Sequence, residues 1–213
     1  MSANPYLAHH FDDPVQQRES VSFGMWIFLL TEIMFFGGIF GAYIIYRHMY
    51  PHMFHDMSRH LDVPLGTLNT GILLTSSLTM ALAVNAAQRG LQKRLVTMLG
   101  ITTLAGCGFL VIKYFEYAHK FHVGSVPGKL WAFPNPYGDQ AQIFYSLYFG
   151  ATGLHGFHVL IGILLMAYFT WGAWKGHYPV GRAQRVEMLG LYWHFVDLVW
   201  IYVFPIFYLI GRY

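Results

Sequence analysis

Hydrophobic and polar positions along this chain come in long blocks rather than short strides. Five apolar runs stand out, at residues 21–46, 66–87, 95–117, 142–171 and 187–210. At about 1.5 Å of rise per residue, each is long enough as a helix to cross a hydrocarbon core of roughly 30 Å. The segments between them are polar and rich in Gly, Pro, His and basic residues. This pattern predicts an all-α polytopic membrane protein, a bundle of five transmembrane helices forming one domain over residues 21–213. Residues 1–20 read as an extramembrane tail, where Pro5 and Pro14 argue against a long helix. No internal repeat or second domain is visible.

Composition sharpens this picture. Only 11% of residues are charged and 55% are hydrophobic, against about 25% charged in soluble domains. A net charge of +3, thinly spread, argues against a nucleic-acid partner. The single Cys107 lies in an apolar run, so neither a disulfide framework nor a cysteine-based metal site is expected. The tail lacks the apolar core of a signal peptide, so the first span is expected to act as an uncleaved insertion signal. Arg89, Lys93, Arg94 and Lys175, Arg182, Arg185 fall in two short loops on the side of Arg18. The opposite side carries Arg47, Arg59, Lys120, Lys129 and Arg212 in longer loops, with Lys113 at its edge. The positive-inside rule therefore predicts a cytoplasmic N-terminus and an outer-side C-terminus.

The loop after the first span carries His48, His52, His55 and His60. These could gather a metal, but surface histidines in a polar loop are the favoured reading. The long segment 119–140 is predicted to be irregular, with Trp131 and Phe133 as interfacial anchors.

Candidate chemistry lies inside the spans. Glu32 sits near the middle of the first, where an ionised carboxylate facing lipid costs several kcal/mol. On another face of the same span, Gly37 and Gly41 would let a second helix approach closely, so two-sided packing is expected. His155, His158, His194 and Asp197 fall near the same depth, forming a polar belt. Three readings stay open for this belt: a metal or haem site, a proton relay, or interhelical hydrogen bonding such as His158 with Asp197. The last is favoured for the histidines, with no metal held. Lys113 and Glu116, three residues apart, and Glu187 are expected at the membrane boundary, where long stems can snorkel.

Five motifs in order, GMWIFLLTEIMFFGGIF (24–40), PLGTLNTGILLTSS (64–77), FEYAHK (115–120), GATGLHGFHVLIG (150–162) and YWHFVDLVWIYVFP (192–205), resemble subunit III of the cytochrome c oxidases, within the heme-copper oxidase superfamily. The longer form of that family has seven helices, and this chain resembles the short five-helix bacterial form. The resemblance implies an accessory, non-catalytic subunit of a proton-pumping respiratory oxidase in the bacterial inner membrane. It implies haem and copper in partner subunits only, packing beside catalytic subunit I with subunit II in the same complex, and bound phospholipid. Cytochrome c would be the electron donor to the complex, and the chain would support proton uptake during reduction of dioxygen to water. Glu32 matches the family glutamate that reacts with hydrophobic carbodiimides. Subunit III of a quinol oxidase and an accessory subunit of nitric oxide reductase are the alternatives.

Overall fold

The computed structural model describes residue 11 and residues 13–176 and 183–210. Among these residues there is no strand. The helices are α1 (Pro14–Met49), α2 (Pro51–Ser58), α3 (Val63–Gln88), α4 (Gln92–His122), α5 (Ala141–Trp174) and α6 (Ala183–Phe204). A 3₁₀ turn, Gly138–Gln140, leads into α5, and a π-helical turn, Pro205–Leu209, continues α6. The five long helices, α1 and α3–α6, are each long and apolar enough to span a membrane. Most of the tail and the loop residue Arg182 lie outside the described residues.

The spans run longer than the hydrophobic pattern suggests, and the capping chemistry says why. Pro14 starts α1 instead of breaking it. It occupies the first helical turn, where no N–H is needed, and Asp13 just before it accepts from the Val15 N–H at 3.2 Å. At the other end of the bundle α4 continues to His122 and stops at Gly124, whose φ of 75° suits glycine.

Within the histidine-rich loop the structure places a helix, α2, which the sequence pattern did not indicate. Met53, Phe54 and Met57 on one side of it are buried, while His52 and His60 face outward. Segment 123–137 folds over α2. Phe133, expected as a membrane anchor, is buried against Tyr145 and under the ring of His60. Lys120 donates to the His60 carbonyl and Tyr137 to Asp56 Oδ2, both at 2.5 Å. Together these contacts form a cap across one end of the bundle.

The core is built on α6, which packs against α3, α5 and α1. Its Trp193 is fully buried and reaches three helices. The indole N–H donates to Ser76 Oγ of α3 at 3.0 Å. Its ring fills the space left by missing side chains at Gly106 of α4 and Gly162 of α5, where a Cβ would come within 2.9 and 2.7 Å of it. A tryptophan there requires both glycines.

α1 lies against α5 and α6 along one seam, Leu29, Phe36 and Tyr43, one residue every two turns. A Cβ built on its Gly37 or Gly41 would meet nothing within 4 Å. Among the described residues none covers the second packing face expected for this helix.

Candidate functional site

The polar groups of the bundle interior do not form one belt. They separate into distinct sites, because α6 and α5 turn them toward different neighbours.

The largest site is centred on Lys113 and Glu116 of α4. Both are buried, with only 6% and 1% of their surface exposed, so neither is the snorkelling boundary charge that the sequence suggests. Lys113 Nζ lies 2.9 Å from Glu116 Oε2 and donates to the Tyr208 hydroxyl at 2.8 Å. Glu116 Oε1 accepts from the hydroxyls of Tyr148 at 2.7 Å and Tyr208 at 2.5 Å. The ammonium also stands 4.9 Å from the Trp200 ring centre and 5.4 Å from that of Tyr208. Three helices thus close around one ion pair whose charges and lone pairs are taken up locally. The pair Lys113–Glu116 was visible in sequence. Tyr148 and Tyr208 were not, since a tyrosine in an apolar run reads as filler until its hydroxyl is seen to meet a carboxylate.

A second site joins α1 to α5. Glu32 Oε2 is 3.2 Å from His158 Nε2, at ion-pair distance but outside hydrogen-bonding geometry. Nδ1 of the same ring is 2.9 Å from the Leu154 carbonyl. The partner of His158 is therefore Glu32, and the expected bond from His158 to Asp197 is not made. The Glu32 side chain keeps 18% of its surface exposed, and Phe36 of the same helix packs at a tilt against the His158 ring, centroids 5.5 Å apart.

The third site is the seam of α3 and α6. His194 Nδ1 shares a 2.7 Å hydrogen bond with Ser77 Oγ. Asp197 is buried with Ser77 beside it, and among the described residues neither of its oxygens meets a partner in full hydrogen-bonding geometry. His155 lies apart from these, fully buried between Phe109 and Trp200, and among the described residues neither of its ring nitrogens has a hydrogen-bond partner. Glu187, expected at the membrane boundary, is half-buried in the first turns of α6 and accepts from Gln88 Nε2 at 2.7 Å. Among the described residues no three of His, Cys, Asp and Glu come together in a way that could hold a metal ion.

The fold defines a multi-pass helical membrane protein with charges held inside the bundle. The profile of the cytochrome c oxidase subunit III family matches residues 3–212. The chain belongs to that family and so is a third subunit of a heme-copper oxidase, an oxidoreductase complex. Cytochrome c oxidase subunit 3 of Synechocystis is 36% identical over 193 residues, covering 88% of this chain and 75% of the relative. Cytochrome bo(3) ubiquinol oxidase subunit 3 of Pseudomonas aeruginosa is 30% identical over 207 residues, covering 96% of this chain and 92% of the relative. In Aeropyrum pernix a heme-copper oxidase subunit I+III is 29% identical over 221 residues, covering 97% of this chain and 24% of that relative.

Proposed function

We propose that this chain is the non-catalytic third subunit of a proton-pumping cytochrome c oxidase in a bacterial inner membrane, N-terminus in the cytoplasm. It stabilises catalytic subunit I, with subunit II in the same complex, binds phospholipid and supports proton uptake while dioxygen is reduced. The observation that carries the accessory reading is how its interior acids and bases are used. Lys113 and Glu116 are consumed by each other and by two tyrosines, and His158 by Glu32 and a carbonyl. Such groups brace helices. Haem and copper belong, in this reading, to the partner subunits, and the I+III relative supports subunit I as the neighbour. Relatives from both the cytochrome c and the quinol branches match; the Thr31–Glu32 pair and the YWHFVDLVW segment favour the first by their resemblance to it.

Glu32 is the residue through which proton uptake would be supported. It is ionisable, partly exposed and paired with a base at mid-depth. Hydrophobic carbodiimide should label Glu32 in preference to the enclosed Glu116, and Glu32→Gln should abolish that label while leaving the haem spectrum of the complex intact. A complex carrying Glu32→Gln is expected to lose activity faster during turnover. Unchanged turnover lifetime and proton pumping would refute a functional role. The donor is tested on the purified complex by comparing oxygen consumption with reduced cytochrome c and with ubiquinol; faster turnover on ubiquinol would favour the quinol oxidase reading.

A further inference from the structure

The membrane faces of the bundle differ in what they present at mid-depth. α4 shows Ile101 and Leu104, and α5 shows Leu160 and Leu164, side chains that lipid tails satisfy. Beyond its first turns α6 is exposed along a narrow strip, Leu198, Ile201 and Tyr202, bordered by α3 on one side and α1 on the other. At the edge of this strip lie Ser77 and His194, half-buried and hydrogen-bonded to each other. Behind them Asp197, 3% exposed, has Ser77 beside it but no partner in full hydrogen-bonding geometry among the described residues. Gly71 of α3 is exposed nearby with nothing within 4 Å of a Cβ built on it, so a backbone can come close. Lipid chains offer nothing to a carboxylate and an imidazole at this depth.

We infer that this strip is the seat for a transmembrane helix of the catalytic subunit, which brings a hydrogen-bond donor (a hydroxyl, an amide or a cation) to His194. The inference rests on the subunit III reading above. Nδ1 of His194 is taken by Ser77, which leaves Nε2 for the partner. A donor at Nε2 fixes the neutral tautomer that carries its proton on Nδ1. Nδ1–H then donates to Ser77 Oγ, and the Ser77 hydroxyl proton is free to turn to Asp197. No proton is gained or lost; one shifts from Nε2 to Nδ1 within the ring, and the hydroxyl rotates. Docking of the partner and satisfaction of the buried carboxylate are thereby one event.

The test uses the intact complex in native membranes, with a photoreactive benzoylphenylalanine at Leu198 on the strip or at Leu74, exposed one turn before Ser77 on α3, and at Leu104 or Leu164 on the other faces. Adducts from Leu198 and Leu74 are expected on the haem-bearing subunit, and from Leu104 and Leu164 on lipid. If that subunit co-purifies yet positions 198 and 74 capture only lipid or a second copy of this chain, the inference is overturned and the reading of the chain as subunit III stands. If no haem-bearing subunit co-purifies with the unsubstituted chain, both fall. His194→Leu is expected to lower the haem retained per chain about tenfold after a detergent wash, at an unchanged level of the chain in the membrane. Full haem retention with normal chain levels would overturn the inference; should the variant not accumulate, the Leu198 adduct decides.

Discussion

Two buried carboxylates in one bundle meet the same membrane cost in opposite ways. Glu116 is enclosed by Lys113, Tyr148 and Tyr208, from three helices of this chain. Asp197 is as deeply buried but among the described residues meets no partner in full hydrogen-bonding geometry, beside a Ser77–His194 pair that opens onto the surface. The first site is complete within the chain and the second is not. A closed site makes a fold rigid; an open one leaves part of its stability to whatever binds.

Breaking the closed site should have the largest effect. Glu116→Leu leaves the Lys113 ammonium buried and unpaired and should cost about 3–5 kcal/mol. Denaturant titration in mixed micelles would measure this. Replacing both partners, Lys113→Met with Glu116→Leu, should recover most of the loss, since it is the orphaned charge that costs. Next in size is Tyr208→Phe, which deletes a hydrogen bond to a charged group and should cost about 1.5–3 kcal/mol in the same assay.

The cap gives a smaller, pH-dependent effect. The Tyr137 hydroxyl, and after it His55, holds the Asp56 carboxyl below its ordinary value of 3.8, while Asp56 pushes the Tyr137 phenol above its ordinary 10.0. A carboxylate with a lowered value contributes stability above 3.8 that is lost as pH falls through the lowered value. The phenol with a raised value contributes below 10.0 and loses its contribution as pH rises through the raised value. The protection of the Ala132 amide against hydrogen exchange, measured relative to its intrinsic rate at each pH, should therefore stay high between these limits and fall outside them; this amide bonds the Gly124 carbonyl within the same cap. Tyr137→Phe should flatten both limbs. The smallest effect is expected at the open site: Asp197→Leu in the isolated chain should change stability by less than about 1 kcal/mol, because no hydrogen bond in full geometry is lost. A loss as large as that of Glu116→Leu would erase the contrast between the two carboxylates.

The five spans were legible because apolar runs of membrane length have few other meanings. α2 was not, since Met53, Phe54 and Met57 repeat over only eight residues, too short a run beside His52 and His55 to stand out from a polar loop. The misplacement of Lys113 and Glu116 follows from one boundary. A span ending near 117 puts them at the membrane edge, whereas α4 runs on to His122 and draws them more than a turn inward. Glu32 stood out as a lone acid in an apolar run, and its depth matched that of His158. The expected pairing of His158 with Asp197 rested on depth alone, and whether His158 meets Asp197 or Glu32 depends on which way each helix is rotated. The open glycines of α1 and the orphaned Asp197 are places where sequence pattern and single-chain packing disagree.

The π-helical turn at Pro205–Leu209 has a bearing on how much change this bundle tolerates. Proline has no N–H to continue the ladder, and the widened turn leaves backbone carbonyls at the end of α6 to outside donors. The Tyr43 hydroxyl donates to the carbonyl of Ile206 at 2.7 Å, and Arg47 to that of Ile210 at 2.8 Å. The outermost helix is thus latched to main-chain atoms, which every residue possesses. Substitutions at Ile206 or Ile210 leave the keeper of the latch in place, while a change at Tyr43 or Arg47 removes the bolt. Drift is cheap on one side of this joint and costly on the other.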